Sequence, residues 1–189
     1  MSEQISLTRE QYLDSISQSK ASAKEFGEKL TMTQMTWQPE GGERWSVAEC
    51  LDHLAIFMEI YLDSMELAIG NAGSGAASGV FRTAGYPSAR FTREAEPPPR
   101  RKIPAPRKIQ PRPTLNPESI LPRFLKSADR VSALVESTAG KDLNAVRFRN
   151  PFLPIVRFTV ATGFLIIAAH NRRHLWQAGE VTQDPDFPR

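Results

Sequence analysis

The sequence predicts an all-α protein, a four-helix bundle. Three observations carry that expectation. Four long stretches repeat apolar residues at three- and four-residue steps, as helices with one buried face do. The first two open on capping signatures. No stretch shows the convincing two-residue alternation of a half-buried strand.

The first helix is placed at about 8–31. Thr8 and Gln11 have the spacing of a capping box, and Leu7 with Tyr12 that of a hydrophobic staple. Tyr12, Ile16, Ala23, Phe26 and Leu30 form its stripe. Thr36 to Arg44, with Pro39 and Gly41-Gly42, reads as a connection. The second helix, about 46–70, starts on Ser46 with Glu49 completing the box, and Trp45 can staple onto Cys50. Val47, Cys50, Leu51, Leu54, Phe57, Met58, Tyr61 and Met65 make its stripe. At ~100° per residue, His53 falls at the border of that stripe, where a side chain can point between neighbouring helices.

From 71 to 116 the helical pattern stops. A Gly/Ala/Ser tract over 70–79 gives way to a basic, proline-rich stretch with Pro97-Pro98-Pro99, Pro104, Pro106, Pro111 and Pro113. Dense prolines disfavour a helix interior or central strand, so extended chain is expected. Phe81, Tyr86 and Phe91 could pin this long connection to the bundle. A third helix, about 117–138, follows the Asn116-Pro117 cap, with Pro122 delaying its regular start and Gly140 closing it. The last runs over about 159–181 and is apolar on every side from Phe164 to Ala169, as when several neighbours bury it. The 189 residues read as a single domain.

Composition narrows the class. No run of eighteen apolar residues is present, so no membrane span is expected. The polar start Met1-Ser2-Glu3-Gln4 is unlike a secretory signal, and the single Cys50 suits a reducing cytoplasm. The isoelectric point is about 9.2. Between Phe81 and Pro113 nine basic residues face two acidic ones, which makes that segment +7 in a chain of net +3. The basicity is therefore local. It is a solvated connection in the plainer reading and a partner-binding arm in the other; nucleic acid is not the expected partner.

His170 and His174 lie one turn apart on a helix and continue its buried face; Arg172 lies on the opposite side. His53 is the third and last histidine. Three neutral imidazoles suit a divalent ion such as zinc or nickel and leave positions for water or substrate. The pair is not H-E-x-x-H, since Asn171 stands where that motif has its base. Glu49, one turn before His53, is claimed by its cap; Gln177 could hold a ligand imidazole; Arg173 could meet an anionic ligand. Trp45 and Trp176 are expected to pack in the core. The catalytic residues stay unassigned, and a non-catalytic metal-binding or interaction scaffold remains the alternative.

At these residues the chain resembles the DinB-like superfamily. Trp45-Ser46-Val47-Ala48-Glu49-Cys50-Leu51-Asp52-His53-Leu54 is similar to that family's W-S-x-x-E-x-x-x-H-L, and His170 to Gln177 to its H-x-x-x-H-x-x-Q. Asn150-Pro151-Phe152 and Phe158-Thr159 look like the approach to the last helix. The resemblance implies a four-helix bundle with a metal on His53, His170 and His174. It implies activity of the thiol-transferase or hydrolase type, with a low-molecular-weight thiol such as bacillithiol or mycothiol as cofactor in the first case. It also implies a small-molecule substrate and a homodimer. The basic proline-rich segment is not matched by it.

Overall fold

The computed structural model describes residues 4–73, 75–100 and 104–189. Met1, Ser2 and Glu3, Ser74 of the small-residue tract, and Arg101 and Lys102 of the basic segment lie outside the described residues. In chain order the elements are β1 (Ser6–Thr8), α1 (Arg9–Lys29), α2 (Met32–Thr36), α3 (Val47–Gly70), β2 (Val80–Arg82), α4 (Gly85–Glu94), α5 (Pro117–Ser137), β3 (Arg147–Arg149), β4 (Arg157–Thr159) and α6 (Val160–Thr182). Helices α1, α3, α5 and α6 form the bundle, and their apolar faces share one core.

Local signals start the helices. Thr8 accepts the Gln11 N–H at 3.1 Å while the Gln11 side chain accepts the Thr8 N–H at 2.8 Å. Ser46 and Glu49 repeat the exchange at 3.2 and 2.7 Å. Each pair satisfies two amides that a helix start leaves open. Thr159 caps α6 through the Thr162 N–H.

Several expectations are corrected. Two antiparallel ladders, β1 with β2 and β3 with β4, exist where no strand was expected. At three residues each, the strands are too short to show a period. The connection after α1 contains α2, with its own Thr31/Gln34 capping box. The long connection contains α4, which ends before the prolines begin and carries Pro87 in its first turn, where no amide is missed. Pro122 lies inside α5 instead of delaying it, at the loss of one helical hydrogen bond. Thr138, not Gly140, closes α5; its hydroxyl donates to the Leu134 and Val135 carbonyls.

The pins also differ. Phe81 is fully buried between Tyr12 and Phe164, at centroid distances of 5.4 and 5.5 Å. Phe91 packs on Phe158 at 5.3 Å, but Tyr86 is 57% exposed and pins nothing. Arg172 is tied in, pairing with Glu96 and donating to Ser15 Oγ at 2.8 Å. Trp176 is exposed.

Helices α3 and α5 meet along a charged seam, where Arg123 bridges Asp52 and Glu59, and Arg130 bridges Asp63 and Glu66. Helix α6 is buried along its first half and reaches α3 closely at Gly163. A Cβ there would lie 2.8 Å from Met65 Sδ and 2.9 Å from the Phe148 ring. No helix among the described residues is long and apolar enough to cross a membrane. Replacing Gly163 by Val should cost about 1–3 kcal/mol through overpacking, read from urea unfolding. An unchanged midpoint would show that the helices do not meet there.

Candidate metal centre

Two helices supply the site. Ser46 fixes where α3 begins, and seven residues on His53 projects from its border. Thr159 fixes the start of α6, whose buried run Val160–Ala169 leads into His170 and His174. The packing of α3 on α6 then gathers all three rings. One ligand nitrogen from each lies within 4.8 Å of the others. His53 Nε2 and His170 Nε2 are 2.9 Å apart. The ring centroids of His174 lie 4.5 Å from those of both His53 and His170. His53 and His174 are buried, and His170 is half-buried.

The outer nitrogens decide what the inner ones can do. His53 Nδ1 faces the Ile109 carbonyl, which can only accept, so that nitrogen carries hydrogen. His174 Nδ1 likewise meets Gln177 Oε1 at 2.9 Å. Both Nε2 atoms are thereby left with lone pairs, as ligand histidines need. Burial, with a small contribution from the Arg173 charge, holds His53 down to about 4, against the Ile109 carbonyl and Asp52, which raise it. Burial also holds His170 and His174 well below the usual imidazole value, helped by the neighbouring histidines and Arg173. All three are neutral at pH 7. Three clustered neutral imidazoles, two of them with lone pairs turned inward, could hold one divalent ion of the zinc or nickel type.

The walls are aromatic. Trp45 lies 4.8 Å from His53 and 5.7 Å from His174, so it lines the centre besides packing. Phe57 lies 4.1 Å from His170, backed by Tyr61 at 4.4 Å and Phe152 at 5.6 Å. Phe152 is held by Asn150, whose side-chain oxygen accepts its N–H at 2.8 Å.

Of the other candidates, Gln177 stands behind a histidine as its spacing suggests. Arg173 is half-buried, donates to the Glu94 carbonyl at 2.6 Å, and is close enough to act on all three rings. Glu49 is not brought to the cluster: its Oε2 accepts the Ser46 N–H and, at 2.8 Å, Gln38 Nε2. Cys50 is buried, which pushes its thiol pKa up and leaves it a packing residue. The partner of His53 escaped the sequence reading, because any residue can offer a carbonyl. Asp52 gave no signal either, because by helical phase it falls on the acidic side of α3 with Glu59, Asp63 and Glu66.

The fold is a four-helix bundle with three clustered histidines that could hold one metal ion. The chain belongs to the DinB superfamily, whose sequence profile matches residues 16–178. No curated protein matches the sequence significantly. Among solved structures it is similar to YfiT from Bacillus subtilis, described as "a probable metal-dependent hydrolase with an unusual four-helix bundle topology". The TM-score is 0.60 at 15% identity, over 93% of this chain and 86% of that one. That likeness is one of fold.

The depressed imidazoles set a pH dependence. Between the ordinary value of 6.5 and about 4 for His53, the unfolded chain binds more protons than the folded one. Stability of chelator-treated protein is therefore full above about pH 6.5 and falls as the pH drops toward 4. Thermal melts at pH 7, 6, 5 and 4.5 should show that fall. It should be shallower when His53, His170 and His174 are all replaced by Gln; equal slopes would contradict the burial argument.

Proposed function

We propose that this chain is a metal-dependent enzyme in which His53, His170 and His174 hold one divalent ion, zinc or nickel. The observation that carries the reading is the convergence of three neutral imidazoles, two of them turned by outer hydrogen bonds so that Nε2 faces inward. Such an ion supplies Lewis acidity, which makes a water or a thiol nucleophilic at neutral pH. Trp45 and Phe57 pack on the ligand histidines and limit the water around them. Arg173 offers a positive charge to an anionic group on an incoming small molecule, and the same charge adds to burial in holding the imidazoles neutral. Gln177 orients His174 and is a positioning residue.

The reaction is hydrolysis or transfer of a low-molecular-weight thiol. Thiol transfer rests on the superfamily resemblance; hydrolysis is favoured by the description of YfiT. Homodimer formation and a cytoplasmic setting are proposed with it. The apolar start of α6 is accounted for within one chain, where residues 160–169 are buried apart from His170 beyond them, so the dimer rests on resemblance alone.

Metal analysis tests the reading. Purified protein should carry stoichiometric divalent metal, and His53→Ala, His170→Ala and His174→Ala should each lose most of it. Thiol-transfer and ester-hydrolysis assays on the loaded protein then separate the two reactions. Unchanged metal content in the three variants would overturn the assignment.

A further inference from the structure

We infer that the proline-rich segment is a strap that positions the metal ligand His53, and that Arg112 is the residue that fastens it. The inference rests on the metal reading above and names what controls that site.

Asp52, the residue before His53, is fully buried. A buried carboxylate needs partners in place of water. Arg112 provides three of them: its backbone N–H at 2.9 Å, Nε at 3.0 Å and Nη2 at 2.7 Å. Arg123 Nη1 supplies another at 2.8 Å. The strap is thus tied to α3 one residue from a ligand, by both main chain and side chain.

Ile109 lies three residues before Arg112. Its side chain is buried, and its N–H donates to the Pro106 carbonyl at 2.9 Å in a short 3-10 turn, Arg107–Ile109. Gln110 Nε2 donates back to the Ala105 carbonyl at 3.2 Å. Pro104, Pro106, Pro111 and Pro113 restrict the backbone on either side of this turn. The tie at Asp52 and the turn together aim the Ile109 carbonyl at His53 Nδ1. The ring orientation and tautomer of His53 therefore depend on a segment 56 residues away in sequence.

The dependence is reciprocal. Whatever engages His53 Nε2 favours the Nδ1–H tautomer, and so favours the docked strap; loosening the strap must weaken that engagement by the same factor. Outer partners of ligand histidines typically control metal affinity by about 10–100-fold. Arg112 is a positioning residue in this scheme and touches none of the three imidazoles. Its removal leaves Asp52 paired with Arg123, so Arg112→Gln is expected to fold.

The experiment compares wild type, Arg112→Gln and Arg112→Lys. Long-range proton–nitrogen NMR of the metal-free proteins should show His53 as a single Nδ1–H tautomer in wild type and as a mixture in Arg112→Gln. Zinc affinity, by chelator competition, should fall about 10–100-fold in Arg112→Gln and less in Arg112→Lys, which keeps the charge. Trypsin should cut after the exposed Arg107 and Lys108 faster in Arg112→Gln, and zinc should slow that cut in wild type. A wild-type tautomer in Arg112→Gln overturns the strap, whatever the zinc result. Failure of wild type to take up zinc overturns the metal reading, while the tautomer comparison still decides the strap.

Discussion

Three imidazoles lie among the apolar side chains of this bundle, and the rest of the site follows from how they are satisfied. Burial makes them neutral, so each ring has one nitrogen that donates and one that accepts. The Ile109 carbonyl and the Gln177 oxygen claim the donors of His53 and His174. The acceptors are then turned toward one another and toward His170 Nε2, 2.9 Å from His53 Nε2. Lone pairs facing each other at that range repel unless a proton or a cation lies between them. The hydrogen bonds around the cluster's edge thereby favour inward-facing acceptors on His53 and His174.

That arrangement assigns work to parts of the chain that look unrelated to it. Helices α3 and α6 bring the rings together, and their close approach at Gly163 leaves no room for a side chain. The charged seam between α3 and α5 ends at Asp52, where it meets the proline-rich segment through Arg112. The Arg112 charge is therefore paired with Asp52 at the edge of the fold. Arg172 of α6 is likewise paired, with Glu96.

Sequence revealed what local chemistry determines. The helix starts at Thr8, Ser46 and Thr159 are written in the side chains that cap them. The i, i+4 pair on α6 and the border position of His53 on α3 are matters of helical phase, readable before any packing is known. Other features depend on contacts between distant residues. The β1–β2 ladder owes its existence to pairing between distant parts of the chain, as Leu7 pairs with Phe81, while β3–β4 is a local hairpin too short to show a period. Helix α4 and the turn at Ile109 sit beside prolines whose local preference is against regular structure. Tyr86 and Phe91 are alike as residues, yet only Phe91 finds an aromatic neighbour, Phe158. Glu49 caps α3 as its spacing dictates, whereas Trp45, whose size suits core packing, also lines the histidines.

The convergence of the three imidazoles on one point is tested most directly by X-ray absorption at the zinc edge of zinc-loaded protein. The account predicts three imidazole ligands with zinc–nitrogen distances of about 2.0–2.1 Å and their outer-ring scattering, completed by a lighter oxygen or sulfur ligand. A shell of oxygens with one imidazole or none would contradict it.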